Sequence, residues 1–114
     1  MSNSGPDLSV SRLIVVNIEE KEYHFIVREH PIVGKFISLF ENGKEYGLID
    51  KQIANKDKFI TSELTKLDYF NIDVLYLTPG WIWIGMDQFG LHAREATYNE
   101  VDVIMKLKED LYYI

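Results

Sequence analysis

The chain has 114 residues, of which 46% are hydrophobic and 26% are charged, a composition typical of one globular domain with a single core. It contains no cysteine, which excludes disulfides, thiolate metal ligands and cysteine nucleophiles. Its net charge of −6 opposes binding to nucleic-acid backbones and to anionic membranes, and it favours a basic protein partner.

The N-terminal segment is polar and has neither the basic nor the apolar region of a secretory signal. The longest apolar runs are far shorter than the roughly 20 residues that span a bilayer. We therefore expect residues 1–10 to form a flexible tail and residues 11–114 to form one cytoplasmic domain.

The first predicted element is a β-hairpin. Residues 13–18 form a short β-branched run. In residues 23–28, Tyr23, Phe25 and Val27 share one face of a strand, and the residues between them share the other. The charged residues 19–22 between these runs predict the turn.

After residue 30, the spacing of apolar residues changes from that of a strand to that of a helix. Pro31 suits the first turn of a helix, and apolar residues recur at helical spacing from Ile32 to Phe40. Asn42-Gly43 supplies a left-handed helix stop. This pattern predicts an amphipathic helix that ends before Asn42.

Residues 44–71 give weaker signals. Leu64, Leu67 and Phe70 recur at helical spacing after a Thr-Ser pair, which predicts a short second helix. Leu48, Ile49 and Ile53 fit a short helix, and Phe59-Ile60 fits either a strand or a packed loop.

A Pro79-Gly80 pair lies between two apolar runs, residues 72–77 and 81–86. Proline followed by glycine is what a type II turn requires, because its second central residue needs positive φ. We therefore predict a central β-hairpin around this pair. The apolar runs occupy both faces of their strands, so the second face needs cover from the N-terminal hairpin, a second subunit or a partner.

The C-terminal third predicts a turn at residues 87–90, a strand at 91–96 and a helix at 98–113. Thr97 and Glu100 form a capping box, in which each side chain accepts a bond from the backbone N–H of the other residue. The complete order predicts an α+β fold of two layers. Its antiparallel sheet of about five strands, built from two hairpins and a meander, packs against two or three α-helices.

The functional hypothesis is a non-enzymatic protein-binding module, most concretely an acidic inhibitor or immunity-type protein that neutralises a basic toxin or nuclease. Acidic residues in turns supply the charge, and tryptophans anchor the interface if they point outward rather than into the core. The predicted partner-binding residues are Glu19, Glu20, Glu22, Asp73, Trp81, Trp83 and Asp87.

Two alternatives stay open. One is a small enzyme or ligand-binding domain that uses His24, His92 and Arg94, since residues two apart on a strand share a face. The other is a structural subunit that forms a homodimer. The three histidines are scattered without the short local spacing of metal ligands, so we expect no metal and no cofactor.

Overall fold

The computed structural model describes residues 9–68 and 70–112, and the side chains of residues 12–68, 70–73 and 75–110. The strands are β1 (Ser9–Ile18), β2 (Lys21–His30), β3 (Gly34–Glu41), β4 (Lys44–Asp50), β5 (Trp81–Asp87) and β6 (Gly90–Glu95). The helices are α1 (Lys51–Lys56), α2 (Lys58–Leu64) and α3 (Tyr98–Tyr112), with a π-helical segment at Asp73–Leu77.

The predicted α+β antiparallel fold is confirmed, with six strands instead of about five. The predicted tail lies outside the described residues, except that β1 begins at Ser9.

The strands form one antiparallel sheet in which each strand lies beside its neighbours in the sequence. β4 joins the two halves of the sheet, because its first residues pair with β3 and its last residues pair with β5. The predicted first hairpin is confirmed, with Phe25 opposite Ile14 and a turn at Glu19 and Glu20.

The helix predicted after Pro31 is wrong, because Gly34–Glu41 is strand β3. Nearly all of its residues pair with β2, so the backbone bonds that a helix would make locally are made between strands. Asn42 and Gly43 both have positive φ, as predicted for a helix stop, but they form the two-residue turn between β3 and β4.

The hairpin predicted around Pro79-Gly80 is also wrong, since the segment before this pair is not a strand. Residues 73–77 form the π-helical segment, in which Thr78 N donates to Asp73 O over 3.1 Å. The neighbours of β5 are β4 and β6, and both pairings are antiparallel.

Helical elements cover both faces of β5, which corrects the predicted arrangement of two layers. Trp83 points to one face, where it packs in a cluster with Phe25 of β2 and Ile104 of α3. Ile82 points to the opposite face, where α1, α2 and the π-helical segment contribute to a second cluster. Its buried members are Ala54, Leu64, Phe70, Leu75, Ile82 and Ala93.

The cover on the second face comes from the region that the sequence pattern leaves open. Asp50 and Asp57 are the N-caps of α1 and α2, and each side chain accepts a backbone N–H bond in the first turn of its helix. Lys51 N donates to Gly80 O over 3.0 Å, which ties α1 to the residue before β5. Short capped helices therefore supply the cover that the two-faced apolar pattern of β5 requires.

The close contact between β4, β5 and β6 leaves no room for a side chain at Gly85. A Cβ atom at Gly85 of β5 would overlap both the carbonyl oxygen of Glu45 and the ring of His92. Gly85→Ala should therefore lower the free energy of unfolding by about 3 kcal/mol, measured by urea titration.

The matched control is Gly47→Ala in β4, where the nearest atom to the added Cβ is Ile84 O at 3.8 Å. This substitution should leave stability unchanged or raise it by up to about 1 kcal/mol. Equal effects of the two substitutions would contradict the close approach described at Gly85.

Candidate functional site

Two of the predicted acidic residues form an exposed turn of unusual conformation. Glu19 and Glu20 connect β1 to β2 and have φ values of 52° and 67°. Positive φ at both central residues is the mark of a type I′ turn, which strongly prefers Asn-Gly. The left-handed region costs roughly 1 kcal/mol or more for each residue that has a Cβ atom.

The same molecule contains the preferred version of this turn. Asn42 and Gly43 connect β3 to β4 with φ values of 53° and 75°. The two hairpins thus have the same loop length and φ signs, but only one has residues suited to that conformation. Glu19-Glu20 therefore holds two exposed carboxylates in a locally unfavourable backbone conformation.

Helix α3 begins beside this turn. Asn99 Nδ2 donates to Glu19 Oε1, and the neighbouring Tyr98 is 83% exposed. Glu22 lies on β2, directly after the turn, and is also exposed. We call these five residues, Glu19, Glu20, Glu22, Tyr98 and Asn99, the acidic turn surface.

Tyr98 and Asn99 are absent from the residues predicted from sequence. Their place in the capping box draws attention to the helix start, but no local pattern shows that β1 and β2 turn beside it. The contact between Asn99 and Glu19 joins residues 80 positions apart, and only the folded sheet brings them together.

The other two predicted acidic residues lie elsewhere. Asp73 is the first residue of the π-helical segment, in the helical layer opposite α3. Asp87 lies in the turn between β5 and β6, where it accepts a bond from Phe89 N over 2.8 Å. Strands β3 and β4 separate that turn from β1 and β2 in the sheet. The structure does not join Asp73 or Asp87 to the acidic turn surface.

Trp83 points into the core, the second of the two orientations considered, so its prediction as a partner-binding residue is wrong. Its ring is 0% exposed and stacks on Phe25, with the ring centroids 6.4 Å apart. Trp81, two residues earlier on the strand, is half-buried. Trp83 is therefore part of the core, and its side chain does not reach a surface where a partner could touch it.

A single buried carboxylate accounts for the polar contact that Trp83 makes. Glu100, in the first turn of α3, is 1% exposed and accepts a bond from Trp83 Nε1 over 3.1 Å. Tyr23 OH donates to it over 2.6 Å, and Arg94 Nη2 donates over 2.8 Å. Thr97 N donates over 2.8 Å and Thr97 Oγ1 accepts from Glu100 N, so the predicted capping box is confirmed.

Arg94 extends this cluster to β3. Its guanidinium donates to both oxygens of Glu41, over 2.8 and 3.1 Å, while also binding Glu100. Glu41 in turn accepts a bond from Lys21 Nζ over 2.8 Å. Two carboxylates and two cations therefore link β2, β3, β6 and α3, and we call Lys21, Tyr23, Glu41, Arg94 and Glu100 the Glu100 network.

The pKa shifts of the network follow from its contacts. Burial alone raises the pKa of Glu100, but bonds from Arg94, Tyr23, Thr97 N and Trp83 outweigh it and lower that pKa to about 2. Burial and the bond to Glu100 raise the pKa of Tyr23 to about 12. Glu100 is therefore a charged, fully bonded carboxylate with no oxygen free to act as a base.

The residues of the alternative enzyme hypothesis do not converge. Strand register places His92 and Arg94 on the face that packs against α3, where the ring of His92 contacts Tyr46 edge-on. His24 alternates with the buried Tyr23 and Phe25 and so points to the opposite face, where its Nε2 lies 2.6 Å from Glu22.

Within residues 9–68 and 70–112, no three His, Asp or Glu side chains are grouped as metal ligands. In the same part of the chain, no helix combines the length and apolar character that crossing a membrane demands. Comparison with models of known protein families, with characterised proteins and with solved structures gives no match. The functional argument therefore depends on the geometry alone.

The Glu100 network makes a prediction about stability. Glu100→Gln removes the charge that Arg94 faces in the interior, so the free energy of unfolding should fall by about 3 kcal/mol. The matched control is Glu63→Gln, which breaks the exposed ion pair with Lys66 and should cost less than about 1 kcal/mol. Urea titration of both variants decides it, and equal losses would mean that burial adds nothing to the Glu100 contacts.

The lowered pKa of Glu100 also predicts that the folded protein loses stability at acid pH. As pH falls below about 5, the unfolded carboxyl takes up a proton before the folded one, whose pKa is about 2. About 3 kcal/mol of stability, fully present at neutral pH, should be lost as pH falls towards 2.

The raised pKa of Tyr23 predicts a loss of stability at alkaline pH. Because this pKa is about 12 in the folded chain, stability should fall as pH rises from about 10 to 12.

Urea titrations across pH test both losses of stability. Glu100→Gln should flatten the acid decline. Tyr23→Phe should flatten the alkaline decline and, because it removes one of the bonds that lower the pKa of Glu100, should reduce the acid decline in part. Identical pH profiles for the parent and both variants would show that neither group titrates differently in the folded and unfolded chain.

Proposed function

We propose that this protein is a non-enzymatic, cytoplasmic protein-binding module whose acidic turn surface captures a basic protein. The most concrete form of the proposal is an inhibitor or immunity-type protein that neutralises a basic toxin or nuclease. The observation that carries it is the pair Glu19-Glu20, two exposed carboxylates held with positive φ where Asn-Gly would be more stable.

Local strain of this kind is concentrated at functional sites, because a residue that is only structural is easily replaced by one that suits the conformation. The β3–β4 turn supports the comparison, since Asn42-Gly43 occupies the same kind of turn in this chain. What Glu19-Glu20 adds over Asn-Gly is two negative charges at the tip of a hairpin. A function that needs those charges accounts for their presence.

The division of the acidic residues supports a binding role for this end of the molecule. Glu100 is enclosed by internal bonds to Arg94 and Tyr23, and Glu41 is bonded to Arg94 on its inner side and to the exposed Lys21 on its outer side. The side chain of Glu20 is exposed at the turn, and Glu22 is exposed beside it. Exposed charged groups steer a partner of opposite charge towards the surface and raise the rate of association.

Tyr98 gives the surface a second recognition element. Tyrosine is enriched among the residues that dominate interface energy, because its ring buries a large area and its hydroxyl can form a bond. The ring is 83% exposed at the start of α3, and its neighbour Asn99 contacts Glu19. A basic partner steered to the turn would thus meet an aromatic anchor beside the carboxylates.

The experiment replaces the acidic turn by the sequence of the other hairpin. Glu19→Asn with Glu20→Gly should raise the free energy of unfolding by about 1–2 kcal/mol, because strain at two positions is relieved. The same variant should slow association with a basic toxin or nuclease encoded beside this chain by about ten-fold at low salt. Stopped-flow or surface-plasmon kinetics at two ionic strengths measures the second effect.

Two controls accompany this variant. Asn42→Glu with Gly43→Glu should destabilise the protein by a similar 1–2 kcal/mol, which checks the strain argument in reverse. Glu109→Gln with Asp110→Asn removes two exposed charges at the far end of α3 and should slow association much less. An association rate that ignores salt, or that falls equally in both charge variants, would leave the negative charge as a solubility feature only.

A further inference from the structure

A cavity of about 360 Å³ opens beside the acidic turn surface, between the start of β2 and the end of β3. It lies next to Glu22 and is therefore continuous with the surface assigned to the partner. Residues that matter to its chemistry are Lys21, Glu22, Tyr23, His24, Phe40 and Glu41.

The walls of this cavity combine carboxylates with aromatic rings from the two faces of the sheet. Glu41 and Tyr23 lie on the face of α3, and Glu22 and Phe40 lie on the opposite face, where Phe40 is 43% exposed. Carboxylates bind guanidinium and ammonium groups through charge-assisted bonds, and aromatic faces attract the same cations through their quadrupole. The lining is therefore suited to a cation carried on a side chain.

The chain itself places a cation at this site. Lys21 Nζ lies 2.8 Å from Glu41 Oε2 and 4.9 Å from the centre of the Tyr23 ring. Its side chain is 56% exposed, so it can swing into solvent without disturbing the core. Glu41 is only 14% exposed, but it keeps both of its bonds to Arg94 when Lys21 leaves, so Lys21 is a replaceable occupant.

We propose that this cavity receives an arginine side chain of the basic partner, which displaces Lys21 from Glu41. The inference rests on the proposed function, because it names the group that the acidic turn surface delivers to the site. Arginine is favoured over lysine because its planar guanidinium can donate to Glu41 and stack on the ring of Tyr23 at the same time. An ammonium group is a point charge and gains less from that ring.

The probes are N-acetyl-arginine amide, N-acetyl-lysine amide and N-acetyl-citrulline amide, titrated into the ¹⁵N-labelled protein and followed by NMR chemical shifts. Arginine amide should shift the backbone signals of residues 21–24 and 39–42, and the neutral citrulline probe should not. Lys21→Met removes the competing ammonium, so it should tighten arginine-amide binding by about two- to five-fold.

Lys66→Met is the matched control, because it removes another exposed lysine from an ion pair, here with Glu63, and changes the net charge by the same amount. It should leave arginine-amide affinity at the parent value. Equal affinities in the Lys21→Met and Lys66→Met variants, or lysine amide binding as tightly as arginine amide, would overturn the proposed site.

These outcomes are separate from those that test the proposed function. If the basic protein binds with salt-dependent association but Lys21→Met and Lys66→Met behave alike, the cavity assignment fails and the acidic turn surface stands. If arginine amide binds the cavity as described but no basic protein associates, the arginine site stands and the inhibitor role fails.

Discussion

The interaction on which the rest of the structure depends is the buried bond set of Glu100. One carboxylate receives bonds from β2, β5 and β6 while serving as the capping residue of α3. A buried charge is tolerable only when it is paired and hydrogen-bonded, and here Arg94 and Tyr23 complete that requirement. The position of α3 on the sheet is therefore specified by polar geometry as well as by the apolar contacts of Ile104.

This arrangement divides the acidic residues into two kinds. Glu41 and Glu100 are both bonded to Arg94, which lowers their pKa values, and Glu100 is buried away from the surface. The turn residues Glu19 and Glu20 remain exposed in a backbone conformation that they do not favour. A net charge of −6 therefore combines internal structural charges with exposed ones, and only the exposed turn is a sound basis for a binding hypothesis.

Sequence patterns predict the elements whose signals are local. The first hairpin and the capping box at Thr97 depend on short-range alternation and on residues three apart, and both are confirmed. The failures share one cause, because a short apolar run fits a helix and a strand alike until its pairing partner is known. Residues 32–40 fit a helical period, yet β2 recruits them into the sheet, whereas residues 73–77 fit a strand yet form a π-helical segment. The site needs still longer-range information, since the contact of Asn99 with Glu19 and the burial of Trp83 arise only when distant strands meet.

Glu100 and Arg94 act as one hydrogen-bonded unit that holds α3 on the sheet. A double-mutant cycle with Glu100→Gln and Arg94→Met, measured by urea unfolding at neutral pH, tests this coupling. We expect a coupling free energy of about 2–3 kcal/mol between the two substitutions, because each removes the ion pair that joins Glu100 to Arg94. Losses of stability that simply add, with coupling below about 0.5 kcal/mol, would contradict it.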